Sequence, residues 1–419
     1  MDICNHPAKG VSDNANSAKA AKKLIESQPK SSGGEVFAGF IILLMIIGFP
    51  RFYGTEFPMA FLVLPFYGRY LFKCVRGSSV FLFVLIFLLL GWFFLGCISY
   101  FGGQGVAADL FFHFVLFVKI CMNIFFGFIV YSILVKSPGS LLLWLIFQCA
   151  LILLSVLDLG VYNFLLGFIS PRSADVFQNI FGLRAVGFGL FHVDGAVLLV
   201  SAAFLYILIE RSKYIYGVFL VVLFPFAMAM ARSAIVPYVI FSVFGKKMAF
   251  KFMLVVLFLS MLLLSLFVTS GPFYEALELF RGFLEHGSFS SSSVAATANM
   301  FVFDNISTAY VAGHGRYYGE SSSELSFYMG TDVGYLRLIY YSGVLSLFLF
   351  VVINLYFLIA ALLLEAGARY AGLKWFAFGL ILVFFVLNGK GIQLSPVFAS
   401  VIYMMALEGS KNMRYFKLS

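Results

Sequence analysis

Short polar gaps cut this chain into apolar runs whose lengths approach a bilayer crossing. A helix needs about 20 apolar residues to span the hydrocarbon core. Within lipid, backbone N–H and C=O groups have to be satisfied inside the segment, so these runs read as helices. A porin-like barrel would show short segments of alternating hydrophobicity, and none are visible. Composition argues against a soluble domain, since 62% of the 419 residues are hydrophobic and only 11% charged, too few to cover a globular surface. Twelve membrane segments are expected, at roughly 36–50, 57–72, 79–101, 107–134, 140–157, 190–209, 214–230, 233–245, 250–270, 333–358, 373–389 and 391–407. The first, second and eighth are short, which suits tilted, half-buried or re-entrant elements. The expected fold class is an all-α polytopic integral membrane protein.

The 28 Lys and Arg residues are sorted by type along this series. Alternate gaps carry nearly all the Lys, and Lys-rich gaps mark the cytoplasmic side. With the N-terminus inside, nineteen of the 28 fall in cytoplasmic gaps and tails, and an error of one segment would scramble the pattern. An even number of spans with both ends cytoplasmic is therefore expected. The other gaps carry Arg51, Arg172, Arg184, Arg232, Arg281, Arg316 and Arg337, with Lys390 as their one Lys. Guanidinium offers a planar fork of donors that suits phosphate and pyrophosphate. An outward-facing set of Arg makes the chain a candidate for handling a lipid-linked phosphate. The Lys are spread over many short loops, which gives a nucleic-acid partner no support.

Residues 1–35 are polar and Lys-rich and read as a disordered cytoplasmic tail, too long a polar lead for a cleaved signal peptide. Residues 36–270 hold helices one to nine, with an outer loop at 158–189. A larger outer loop covers 271–332, helices ten to twelve cover 333–407, and 408–419 form a second cytoplasmic tail. Long loops in a compact protein carry function. The larger one opens with FYEALELFRGFLEHG, where Phe273, Leu277, Phe280 and Leu284 share a helical face and Glu275, Glu278 and Glu285 lie largely away from it. This reads either as a lid on the membrane surface or as a packing helix that closes the loop. Ser290–Ser293 mark a flexible turn. Cys4, Cys74, Cys97, Cys121 and Cys149 show no metal spacing and no paired framework.

No zinc-type cluster, Walker loop or DxD-like pair is present, so neither a metal nor a cofactor is expected. The most specific stretch is GHGRYYG, followed by a Ser/Glu-rich link and TDVGYLRLIYYSG. Gly313, Gly315 and Gly319 allow a tight backbone path and close approach to a ligand. His314 can accept a proton near neutral pH, and Arg316 can hold phosphate oxygens. Tyr310, Tyr317, Tyr318 and Tyr328 crowd the same loop, where Tyr can stack on sugars. Asp332 is either a proton acceptor or a helix N-cap or first-turn acid, with Arg337 its structural partner, a snorkelling side chain or an anion ligand. A second cluster is Arg172 in SPRSAD and Arg184 in GLRAVGFGLFHVDGA, where His192 and Asp194 either pair or line a cavity. The third is Arg232 in MARSAIVP, read as a plain outer turn or as a cation aimed into a polar cavity beside a helix N-terminus. On the fourth segment Lys119 either bridges Asp158 or solvates a helix contact.

Taken in order, RAVGFGLFHVDGA, ARSA and GHGRYYG with TDVGYLRLIYYSG resemble the O-antigen polymerase (Wzy) family, within the wider group that includes the O-antigen ligases. The first is similar to the family's R-x-x-G-x-F element and the second to its S-R-[ST] break. Ligases tend to show His-Asn at the start of the last element, with Gly eleven positions after the His. Here Asp332 stands at that place, with Gly343 eleven on, which favours polymerase over ligase. The resemblance implies a GT-C-like membrane glycosyltransferase that joins undecaprenyl-pyrophosphate-linked oligosaccharide repeat units on the periplasmic face of the bacterial inner membrane. On that reading Arg184 and Arg232 meet the pyrophosphate, Arg172, Arg316 and Arg337 are further ligands, and Asp332 or His314 takes the acceptor proton. Gly313, Gly315, Tyr317 and Tyr318 would line the glycan path. Partners would be the lipid-linked oligosaccharide, membrane lipid and a polysaccharide chain-length regulator. The rivals are an O-antigen ligase and a lipid-linked oligosaccharide flippase.

Overall fold

The computed structural model describes residues 32–77, 79–179, 181–210, 215–244, 248–288, 299–319, 327–364 and 372–409. Most of the tail at 1–35, nearly all of that at 408–419, the Ser run 290–293, the Ser/Glu-rich link and many of the topology-setting Lys lie outside these residues. Among the described residues every regular element is a helix, apart from isolated bridges pairing Arg51 with Pro58 and Tyr318 with Phe327.

The helices are α1 (Gly33–Ile46), α2 (Leu64–Gly77), α3 (Ser79–Gly102), α4 (Ala107–Lys136), α5 (Gly139–Leu157), α6 (Leu159–Leu166), α7 (Pro171–Gln178), α8 (His192–Glu210), α9 (Ile215–Met230), α10 (Ile235–Phe244), α11 (Met248–Phe267), α12 (Gly271–Ala276), α13 (Glu278–His286), α14 (Ile306–Ala309), α15 (Gly334–Leu363), α16 (Leu373–Asn388) and α17 (Phe398–Gly409). Five of them are long and apolar enough to cross a membrane: α4, α5, α8 and α15 over their full lengths and α3 over Val80–Gly102. The chain thus has the all-helical character and membrane-length helices expected of a membrane protein.

Local chemistry explains where the elements begin and end. Helix α1 starts at Gly33, inside the stretch read as tail, because Ser32 and Glu35 form a capping box with bonds of 3.3 and 3.0 Å. The second apolar segment is not one uniform helix. A 3-10 turn at Met59–Val63 leads into α2, whose Arg69, Lys73 and Arg76 fall on one face. The larger loop holds α12 to α14, and the amphipathic helix expected there breaks at Leu277 into α12 and α13. Leu277 and Phe280 are buried, while Leu284, expected on the same face, is exposed.

The two 30-residue helices, α4 and α15, form the middle of the packing. Helix α15 packs on α3, α16 and α17, and α4 packs on α17 and α3. Helix α15 is broken at Ser342–Gly343, where Gly343 has φ +80°. That break and the turns at 185–190 and 388–393 bring the candidate residues together.

Candidate functional site

Arg184 is held by the turn that follows it. Ala185 N–H donates to the Ala229 carbonyl (3.0 Å), Val186 N–H to Ser155 Oγ (3.1 Å) and Phe188 N–H to Gln148 Oε1 (3.0 Å). Gln148 returns a bond to the Phe188 carbonyl. Gly189, at φ +68°, lies so close to Pro50 that a side chain would collide. Gly187 and Gly189 are therefore spent on packing the turn, whereas Gly182 has open space beside it. The Ala185–Ala229 bond ties Arg184 to the end of α9, two residues before the ARSA break. Arg184 itself makes no hydrogen bond or ion pair with another described residue. Its pKa is lowered by burial and then by the neighbouring charge of Arg232, with Glu275 acting the other way.

Arg232 is buried at the head of a 3-10 turn between α9 and α10. Arg232 is therefore not exposed on a plain outer turn, and two carboxylates already occupy it. Glu275 of α12 lies 2.7 Å from Nη2, and Glu278 of α13 bonds Nη1. Two of the three acidic positions of the amphipathic loop segment, Glu275 and Glu278, thus face this guanidinium. Its Nη1 and Nη2 reach a phosphate only if one of them lets go, while Nε has no hydrogen-bond partner among the described residues.

Lys390 comes into the same cluster from a third direction. Asn388 closes the turn, donating to the Gln393 carbonyl (3.2 Å) and accepting from Gln393 N–H (3.0 Å). Gly391 in that turn touches the backbone of Gly334 at the start of α15. The Lys390 ammonium has its pKa lowered by burial and by Arg184 and Arg232, with Asp332 opposing. Three segments distant in sequence therefore place Arg184, Arg232 and Lys390 within electrostatic reach of one another.

Asp332 is not an N-cap. Val333 occupies that position, and Asp332 Oδ1 accepts from Arg337 Nη1 at 3.2 Å. Arg337 is only 6% exposed, with Phe327 4.1 Å and Phe112 5.3 Å from its guanidinium. It is a structural partner of Asp332, walled off by aromatic rings, and not an open anion ligand. Asp332 is half-buried, and burial raises its pKa against the opposing pull of Arg337 and Lys390.

GHGRYYG serves the fold more than a ligand. His314 and Gly315 N–H groups donate to the Tyr340 (2.6 Å) and Tyr341 (2.9 Å) carbonyls, and Val344 N–H donates to Tyr310 (2.9 Å). The loop thereby satisfies the broken stretch of α15. Gly313 (φ +71°) and Gly315 (φ +74°) press on the backbone of Tyr341 and Ser99, so the surface they approach is the chain's own. His314 uses both ring nitrogens, on Thr308 Oγ1 (2.9 Å) and Tyr328 hydroxyl (3.1 Å), and its pKa is lowered by burial and by Arg316. Arg316 Nε donates to the Gln104 carbonyl at 2.7 Å. Tyr317 is wholly buried, stacked on Tyr341 with ring centroids 4.0 Å apart, so it cannot touch a glycan. Tyr318 is half-buried beside the Arg172 guanidinium, 5.0 Å from its ring.

Lys390, Glu275 and Glu278 were not among the residues singled out as site candidates. Lys390 stands apart in the sequence as the one Lys in the Arg-bearing gaps, which is the signal that could have found it. Buried Asp109 on α4 accepts backbone N–H bonds from Val106 (2.9 Å), Tyr317 (2.8 Å) and Tyr318 (3.0 Å). Lys119 does not bridge Asp158, which instead caps α6 through Val161 N–H. No protein-family model, curated protein or solved structure matches the chain.

Proposed function

We propose that the chain is a surface-polysaccharide polymerase of the O-antigen type. It crosses the inner membrane twelve times in a GT-C-like arrangement and joins undecaprenyl-pyrophosphate-linked repeat units on the periplasmic face. The convergence of Arg184, Arg232 and Lys390 from three separate segments carries this reading. Cations gathered where burial disfavours their charge are stabilised by an anionic ligand. The sorting of Lys from Arg supports the topology.

In the reaction, the acceptor sugar hydroxyl attacks the anomeric carbon of the donor glycan, and the bond to the lipid pyrophosphate breaks. Negative charge grows on the departing phosphate. Arg184 and Lys390 stabilise it, while Arg232, fixed by Glu275 and Glu278, sets the shape and potential of the pocket. The acceptor proton passes to Asp332, whose raised pKa improves it as a base and whose bond to Arg337 fixes its direction. His314 is the weaker candidate because both its nitrogens are engaged. A chain-length regulator and membrane lipid are the further partners of this reading.

The test is reconstitution with a purified lipid-linked repeat unit. Arg184→Ala and Lys390→Ala are expected to lower polymer formation by about 10²–10³-fold, with poor rescue by Arg184→Lys. Undiminished polymer length in both variants would remove the site. The flippase reading has Lys119, a cation well inside α4, in its favour. Lipid-linked oligosaccharide flux across vesicles without polymer formation would establish that alternative. For the ligase reading, cells lacking the protein would carry no glycan on lipid A core, whereas loss of a polymerase leaves single repeat units there.

A further inference from the structure

A cavity of about 340 Å³ lies between α4, α8, the loop after α1 and the chain at 393–397. Part of its polar wall is already satisfied. Arg51 is paired with Glu56, Asn123 donates to the Ser395 carbonyl (2.8 Å), and Ser170 bonds Ser173 (2.7 Å). Two charged side chains in the wall remain, Lys119 and Asp194, each exposed and neither with a hydrogen bond or ion pair to another described residue. Lys119 lies about 18 Å along the axis from the start of α4. A lone ammonium at that depth needs a polar space and a counter-charge. Asp194 alone is accounted for as an acid in the first turn of α8, but that leaves Lys119 unexplained. At the rim stand Phe111 and Phe114, 64% and 47% exposed on a membrane-length helix, which turns the mouth of the cavity toward lipid.

We infer that this cavity binds a lipid whose head carries a phosphate flanked by hydrogen-bond donors, with the phosphate on Lys119 and the donors on Asp194. A simple anion would satisfy Lys119 and be repelled by Asp194. A head with both features satisfies each charge, and its chain leaves past Phe111 and Phe114. The donors can be the ammonium of phosphatidylethanolamine or the hydroxyls of a polyprenyl phosphosugar. The second source rests on the glycosyl-transfer reading, and the first does not.

The test uses the full-length protein in nanodiscs, with bound lipid counted by native mass spectrometry. The probes are phosphatidylethanolamine, a polyprenyl phosphohexose, and phosphatidylcholine, which has the phosphate but no N–H or O–H donor. At least one donor-bearing lipid is expected to be retained about tenfold over phosphatidylcholine, the size of one charge-assisted hydrogen bond. Lys119→Met should remove that retention, Lys119→Arg should keep it, and Asp194→Asn should erase the preference over phosphatidylcholine. Arg184→Ala should leave phosphatidylethanolamine retention unchanged, which separates this cavity from the pyrophosphate cluster. Equal retention of all three lipids overturns the inference. So does retention that Lys119→Met and Asp194→Asn leave intact in monodisperse protein.

Discussion

A methyl group added at Gly313 would land on the Tyr341 carbonyl, and one at Gly343 on the carbonyl of Val311. Both residues also adopt left-handed φ, which an L side chain resists. Gly313→Ala or Gly343→Ala is expected to lower stability by about 2–3 kcal/mol. Thermal unfolding in detergent measures it, and an unchanged midpoint would mean the loop does not bear on the break in α15. His314 gives a second handle. Its folded-state pKa is depressed, so the neutral ring contributes full stability above its ordinary value near 6.5, and that contribution is lost as pH falls through the lower folded value. The acid limb of the unfolding midpoint should therefore flatten in His314→Gln. The Arg forks and the glycines were visible in the sequence as residues worth noticing. What they face was not, because two positive-φ glycines look the same whether a ligand or a carbonyl lies opposite.

At the scale of elements, the contact between α12–α13 and the ARSA break is the informative one. The sequence placed Glu275 and Glu278 away from the apolar face of a helix, and that much holds. It gave no means of seeing that the face they occupy looks onto Arg232, some forty residues earlier in the chain. Replacing both with Gln leaves a buried guanidinium with weaker partners, at an expected loss of about 1–3 kcal/mol. Hydrogen exchange over Gly271–His286 should rise in that double variant. Unchanged protection would show that Leu277 and Phe280 hold the segment by apolar packing alone. Helix positions were more legible than contacts. Most apolar runs fall on helices, as the need to satisfy backbone groups within an apolar segment predicts, but the second opens with a 3-10 turn and the last stays irregular up to Val397. The capping box at Ser32 and Glu35 was legible too, but a compositional reading of the tail passed over it.

At the scale of the molecule, the proposal requires Arg184, Arg316 and Lys390 to lie on one side of the bilayer, opposite Lys136. In a background without the native cysteines, Arg184→Cys, Arg316→Cys and Lys390→Cys should react with an impermeant thiol reagent added outside, and Lys136→Cys only after lysis. Labelling of the first three from opposite sides would end the shared-site reading. The interruption of α15 also bears on how such a chain is made. A span with a gap in its own ladder exposes unpaired carbonyls to hydrocarbon, each at a penalty of several kcal/mol. In the finished protein, the Gly313–Gly315 stretch and Tyr310 supply the missing partners at Tyr340, Tyr341 and Val344. Those partners lie upstream, so they leave the ribosome first. The break in α15 can therefore be closed by chain already made as soon as Val344 emerges.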